Sequence, residues 1–474
     1  METRLDDLYN PKKFEEFGFE LIELISSFLD DSHKDTIKVN NWKEPEDQLE
    51  YWRNYNIEGD SPKQLFKDIL ENSINVQHPK YIGHQISPTA PLSALSGLLS
   101  AILNNGMAVY EMGAAATAIE KLVIELIAKK IGYNTEADGF ITSGGTLANL
   151  TALLSARQSM NRAGIANDKM AIIVSAEAHY CIEKSVRVMG FDGEQVIKVP
   201  VGDQFNMQTG LLEECYAKAI SQGKKIVAVV GSAPSTSTGM YDDLEKIAAF
   251  CKSKKVWFHV DAAHGGGAIF SQKYKHLLQG VEAADSVVID GHKMLLSPSI
   301  MTFLVFKDEQ DSYETFKQKA QYLWKQDQEE EWYNLAKRTF ECTKSMMSIQ
   351  FYTILKFYGE EIFDQFVTKL FDLGKNFAEK VKLDKDFELF LDPQSNIVCF
   401  RYKPAGYDNS QLNEINNEIR ENLLRDGEFY IVQTNLNGSV YLRTTFMNPK
   451  TTEKIMDELL FKIKNSAKNI LAEN

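Results

Sequence analysis

The chain has 474 residues, 44% of them apolar and 25% charged, and a net charge of −14. The length predicts two or three domains, and the composition is that of a globular protein. No Lys/Arg stripe is interleaved with aromatics and no apolar run approaches the roughly 18 residues of a membrane span, so neither nucleic acid nor membrane is an expected partner.

In chain order, the opening "METRLDDLYNPKKFEEFGFE" is acidic and mixed, unlike the basic-then-apolar pattern of a signal peptide. Asn10-Pro11 reads as an N-cap followed by proline at the first helical position. The helix after it spaces Phe14, Phe17, Leu21, Leu24, Ile25 and Phe28 along one face, a stripe that belongs to a core or to a contact with a partner chain. "PLSALSGLLSAILNNG" is apolar almost all round and predicts a helix buried on most sides. From about residue 138 the pattern becomes strand, turn, helix. "GFITSGGTLANLTALLSARQ", "KMAIIVSAEAHYCIEKSVRVMG", "KKIVAVVGSAPSTSTGMYDDLEKIAAFCK", "KVWFHVDAAHGGG" and "ADSVVIDGHKM" each carry a short apolar run. That alternation predicts a mainly parallel sheet covered on both faces. After about 310 it stops. "YLWKQDQEEEWYNLAKRTFE" reads as a loop, and the remainder mixes helices with the short strands "NIVCFRY" and "SVYLRTTF". The expected domains are an N-terminal helical segment (1–100), a large α/β domain (101–350) and a small α+β domain (351–474). The five cysteines, Cys181, Cys215, Cys251, Cys342 and Cys399, are scattered without a CxxC pair. They predict no disulfide framework or zinc site and fit a reducing cytoplasm.

In open α/β sheets ligands bind outside the carboxyl ends of the strands, so the residues delivered there matter most. The first run delivers Thr142 to Asn149, "TSGGTLAN". Glycines and hydroxyls at a helix N-terminus either form an anion site or simply cap the helix. The motif is neither a Walker loop nor a dinucleotide fingerprint. The second run delivers His179, a structural or a catalytic histidine, and the third a hydroxyl-rich turn containing Ser232. The fourth delivers Asp261, a carboxylate that burial obliges to find a cation or a metal. His259, Asp261 and His264 have a spacing that invites a metal. Residues 259 and 261 share a side of the strand, however, 264 lies past a turn and no second ligand cluster follows, so no metal is expected. The fifth delivers Lys293, either a solvated turn lysine or the carrier of a covalently bound aldehyde. An anion cradle, a flat ring, a buried carboxylate and a lysine on one edge together match pyridoxal 5′-phosphate (PLP). That cofactor needs a lysine Schiff base and a carboxylate on its ring nitrogen.

With "FITSGGTLANLTAL", "HVDAAHGG" and "DGHK" in hand, the chain resembles the group II PLP-dependent amino-acid decarboxylases over most of its length, from "HPKYIGH" at 78–84 to "YLRTTFMNP" at 441–449. The family includes glutamate, aromatic amino-acid, sulfinoalanine and diaminobutyrate decarboxylases. The resemblance implies the type I PLP-dependent transferase fold, with a mainly parallel seven-stranded sheet covered by helices. It implies that Lys293 holds the cofactor's aldehyde, with His292 as its neighbour, and that Asp261 keeps the ring nitrogen protonated. Ala263 and His179 would cover the two ring faces. Ser143, Gly144, Gly145 and Thr146 would bind the phosphate. Ser232 stands where relatives usually have a threonine, and His264 where most have another aromatic. Arg443 matches an arginine that binds the substrate carboxylate in glutamate-type relatives, and His84 lies where acidic-substrate relatives carry an amide. Tyr333, in the family's mobile loop, would return a proton to the substrate carbon after carbon dioxide leaves, although Tyr322 and Trp332 stand nearby.

The activity the resemblance implies is decarboxylation of an L-amino acid to its amine. "NNGMAVYEMG" at 104–113 favours a small polar or acidic aliphatic substrate over an aromatic one. The alternatives are other PLP chemistry (aromatic amino-acid decarboxylation, a decarboxylating aldehyde synthase, an aminotransferase or a carbon–carbon lyase) or a non-enzymatic protein on the same fold. A homodimer wrapped by the N-terminal helices is expected.

Overall fold

The structure, a computed structural model, describes residues 4–56, 61–313, 315–316 and 331–473. Contacts divide the chain into two units, Met1–His84 with Leu373–Asp392 and Ile397–Asn474, and Gln85–Asp372 with Pro393–Asn396. The sequence had set boundaries at 100 and 350 instead.

The larger unit holds β1 (Asp138–Thr142), β2 (Met170–Ser175), β3 (Val196–Val199), β4 (Lys225–Ser232), β5 (Trp257–Asp261), β6 (Ser286–Asp290) and β7 (Thr302–Phe306). They form one seven-stranded sheet in the order β1-β7-β6-β5-β4-β2-β3, in which β7 alone runs against its neighbours. The β-branched runs of β2, β4 and β6 suit a sheet buried on both faces. The helix Gly145–Arg162 lays Ala148 and Ala152 over Phe140, Val288 and Leu304, and Leu153 and Ala156 over Ile172, Val174 and Val230. On the opposite face Leu244 and Ile247 of the helix Leu244–Lys254 close on Gly231. Each fully buried aliphatic side chain contributes about 1.5–3 kcal/mol. Because six strands share a direction, Thr142, Ser175, Ser232, Asp261 and Asp290 all emerge at one edge, with Thr302 of β7 in register beside Asp290.

The helix Pro91–Leu103 departs from expectation. Ser93, Ser96 and Ser100 face inward, whereas Leu95, Leu98, Leu99, Ile102 and Leu103 are exposed. The small serines let it lie close to the helix Ser348–Tyr358, where Ser93 Oγ donates to Gln350 O at 3.1 Å. The leucines are thereby turned outward.

A cluster of buried charges sits at β1. Arg338 donates to Asp138 Oδ2 at 2.7 Å and to Gly139 O at 2.9 Å, and Lys121 lies 3.0 Å from Asp138 Oδ1. Lys344 donates to Glu120 and to Ile141 O, both at 2.5 Å, while Ile141 N donates to Glu120 at 2.9 Å.

The smaller unit carries β8 (Phe387–Leu389), β9 (Ile397–Tyr402), β10 (Val432–Leu436) and β11 (Ser439–Thr445) in an antiparallel sheet ordered β10-β11-β9-β8. Its core gathers Phe377, Phe400, Phe429 and Phe446 with Ile419 and Ile463 from two helices. In its first long helix, Pro11–His33, Asn10 caps the N-terminus by accepting from Lys12 N at 3.0 Å, as the sequence predicts.

Candidate active site

The carboxyl edge of the large sheet encloses a cavity of about 310 Å³. Its lining brings together most residues singled out in the sequence: Ser143, Gly144, Gly145 and Thr146 after β1, His179 after β2, Ser232 ending β4, Asp261 and Ala263 at β5, and His292 and Lys293 after β6.

At the first corner, Gly144 has φ of 120°, a conformation side chains resist, and it turns the chain from β1 into the helix Gly145–Arg162. The first free N–H groups of that helix meet the cavity with its positive dipole end, a place suited to an anion. Ser143 Oγ donates to Glu341 at 2.6 Å.

Lys293 stands in the short helix Gly291–Met294. Its Nζ is 2.8 Å from Asp290 Oδ2, and Thr302 Oγ1 donates to the other oxygen of Asp290. Burial alone would push the Lys293 ammonium down, but Asp290, and beyond it Asp261, outweigh that and hold its pKa above the usual lysine range. Burial likewise works against the charge on Asp290, yet Lys293 and His292 hold its pKa below the usual carboxylate range. His292 lies 3.7 Å from Asp290 and turns its Nδ1 to the backbone of Met301.

Asp261 is in a different state. Oδ2 accepts from Asn149 Nδ2 at 3.1 Å and Oδ1 from Ala263 N at 3.2 Å, with no cation within ion-pair distance among the described residues. Burial pushes its pKa up, against the opposing pull of His179 and Lys293. Such a carboxylate, facing a cavity, fits a cationic ring N–H that would lower its cost. Burial keeps His179 below the usual histidine range, so its ring is neutral and able to stack. Ser232 closes β4, its N donating to the buried Asp242 at 2.8 Å. Behind Asp261, Gly265, Gly266 and Gly267 run against the walls of the site. A Cβ on each would come within 2.0 Å of the Tyr241 hydroxyl, 2.6 Å of Ile289 and 2.8 Å of Met294. His264 shares the lining, its Nε2 2.8 Å from Asn396 Oδ1.

Three sequence candidates lie elsewhere. Tyr333 is half-buried outside the cavity lining, its ring edge-on to Tyr110 at 5.7 Å. Tyr322 lies outside the described residues. His84 and Arg443 belong to the smaller unit. There His84 packs against Tyr430 at 5.8 Å between ring centres, and partial burial followed by the charges of Arg443 and Arg420 lowers its pKa. Arg443 is buried on β11, in register with Cys399. Conversely, Asn149, Cys181 and Asp290 line the cavity and were not singled out from the sequence. A lone asparagine inside the apolar helix run "LANLTALL" was the available signal for the first.

Residues 45–403 match the family model described as the pyridoxal-dependent decarboxylase conserved domain. The chain is 32% identical over 354 residues to an L-aspartate decarboxylase of Metarhizium robertsii, covering 73% of this chain and 71% of that one. It is 28% identical over 429 residues to an L-2,4-diaminobutyrate decarboxylase of Acinetobacter baumannii, covering 86% and 84%. Among solved structures, Oryza sativa TDC with PLP and tryptamine superposes with a TM-score of 0.89 at 20% identity, covering 98% of this chain and 99% of that one, a likeness of fold.

Proposed function

The chain belongs to the pyridoxal-dependent decarboxylase family and is a PLP-dependent amino-acid decarboxylase, and we propose that its substrate is a small L-amino acid with a polar or acidic side chain. The observation that carries this is the cavity. At about 310 Å³ it lies at the lower end of ligand pockets, and none of the described residues lining it is Phe, Tyr or Trp. With the cofactor seated there as well, the space that is left suits a small substrate better than a bulky aromatic one. The relatives named for aspartate and diaminobutyrate support the same reading.

Bound PLP supplies a sink for the electron pair released as the carboxylate leaves. In our reading Lys293 holds the cofactor covalently through Nζ, and Asp290 orients that nitrogen. Asp261 keeps the proton on the ring nitrogen, Ala263 and His179 cover the ring, and His292 and Ser232 flank it. Ser143, Gly144, Gly145 and Thr146 take the phosphate. Arg443 supplies positive charge for a substrate carboxylate and His84 a neutral ring N–H, and Tyr333 returns the proton to carbon. The exposed leucines of Pro91–Leu103 support a homodimer, since an apolar face of that kind calls for a cover. Five free cysteines fit a reducing cytoplasm. No described helix is long and apolar enough to cross a membrane.

The test is mass spectrometry of a pooled L-amino-acid panel incubated with the PLP-loaded protein. Conversion of aspartate, glutamate, sulfinoalanine or diaminobutyrate to its amine is expected. Preferential turnover of tryptophan or tyrosine would overturn the substrate assignment, and an aldehyde product would reassign the role of Tyr333.

A further inference from the structure

Strand alternation puts Trp257, His259 and Asp261 on one face of β5. Beneath the cavity they join two other residues in a line of hydrogen bonds that branches at Asn149, whose Nδ2 also donates to Cys181 Sγ at 3.3 Å. Trp257 Nε1 donates to Ser286 Oγ at 2.9 Å. Ser286 Oγ lies 2.8 Å from His259 Nδ1, and His259 Nε2 lies 2.7 Å from Asn149 Oδ1. Asn149 Nδ2 then meets Asp261 Oδ2 at 3.1 Å. Ser286 and His259 are fully buried and Asn149 is 1% exposed, so water does not complete the set.

The two ends of this line fix its direction. An indole N–H can only donate, and an ionised carboxylate can only accept. Each of the three groups between them must therefore pass one bond along in the same sense. Ser286 O–H donates to His259 Nδ1, His259 Nε2–H to Asn149 Oδ1, and Asn149 Nδ2–H to Asp261. Burial holds the His259 imidazole neutral, with a pKa pushed down to about 3 against the opposing pull of a hydrogen bond with the Ser286 backbone. A proton on Oδ2, donated to Asn149, would reverse both the amide and the imidazole. Ser286 would then receive two N–H groups and leave its own O–H without an acceptor in a dry interior. A proton on Oδ1 would sit on the oxygen that already accepts from Ala263 N.

We propose that Trp257, Ser286, His259 and Asn149 form a one-way hydrogen-bond relay that holds Asp261 as an ionised acceptor for the cofactor's ring nitrogen. These are positioning residues, acting through Asp261, and their role rests on the assignment of Asp261 to that nitrogen. Asp261 also faces His179 and Cys181 after β2 and Asp290 and Lys293 at β6. Its hydrogen-bond partners among the described residues are Asn149 Nδ2 and Ala263 N, and the relay acts through the first of them, so changes at Trp257 or Ser286 reach Asp261 by way of Asn149.

Two measurements test this. In the full chain, without cofactor and with ring-labelled histidine, NMR should show His259 as the neutral Nε2–H tautomer from pH 5 to 8. An Nδ1–H tautomer, or an imidazole that protonates in that range, overturns the relay. In the PLP-loaded protein, His259→Leu should lower kcat by about tenfold or more with KM little changed, the effect of stranding one buried bond. It should also move the acid limb of the kcat profile to higher pH. His259→Gln, whose amide offers one N–H and one C=O, should recover most of that rate and the original limb. Equal loss in both variants, or an unmoved limb in His259→Leu, overturns the proposal. Wild-type turnover in Asp261→Asn would instead overturn the assignment beneath it, a failure the cofactor-free NMR result tells apart.

Discussion

Two clusters of buried charge lie in the same unit and do opposite things. At β1, Arg338, Asp138, Lys344 and Glu120 each meet an opposite charge and a backbone group, and none of them lines the cavity. At the carboxyl edge, Lys293 and Asp290 are paired, while Asp261 meets neutral donors and faces open space. Burying a charge is costly in both places, and only a partner offsets it. In the first cluster the partner is the fold itself. In the second, on the function proposed above, the bound cofactor completes the pairing. Buried charge therefore marks a functional site only where its partners run out.

The contrast can be broken at its strongest point. Lys293→Ala should abolish turnover and the absorbance of the covalently held cofactor with a smaller loss of thermal stability than Arg338→Leu, because Asp290 keeps Thr302 and His292 as partners. A collapse of stability would mean that the carboxyl-edge cluster is structural as well. Arg338→Leu should do the reverse. It leaves Asp138 of β1 with Lys121 as its remaining cation and should cost about 3 kcal/mol in a denaturant titration, with the rate per folded molecule largely kept. Loss of rate without loss of stability would erase the distinction. A finer effect comes from pH. His259 is neutral when folded, with its pKa near 3, and binds a proton near 6.5 when unfolded. The unfolded chain thus binds the extra proton between those values, so stability is full above pH 6.5 and falls as pH drops. That contribution amounts to about 1.4 kcal/mol per pH unit in the window. His259→Gln should flatten the stability curve between pH 6 and 4 by that amount, and an unchanged slope would show that His259 is protonated in the fold.

Much of this site was legible because its residues follow apolar runs. Asp261 ends the apolar run of β5 and Lys293 follows that of β6, and the glycines at 144–145 announce the turn between β1 and its helix. What escaped depended on three-dimensional direction. Asp290 reads as one more strand residue until the turn after it brings Lys293 back over its carboxylate. Asn149 lies on the buried side of a helix, where helical spacing alone gives no reason for a polar residue. The strands β3 and β7 are not read from the sequence, the first because Val196–Val199 is short and partly exposed, the second because only the four-residue helix Gly291–Met294 and a loop part it from β6. The helix Pro91–Leu103 was misread as buried because hydropathy does not say which side the small residues take.

The glycine run at 265–267 bears on how this enzyme can be altered. Its three positions are boxed in by Tyr241, Ile289 and Met294, the last immediately beyond Lys293. A side chain at Gly267 would press on Met294 beside the lysine, and one at Gly265 or Gly266 on Tyr241 or Ile289, so a library that randomises the run should return mostly inert clones. Diversity aimed at new substrates belongs next door, at His264 and Thr236, which line the same cavity. The run is in effect a spacer of fixed gauge, against which the rest of the pocket can be recut.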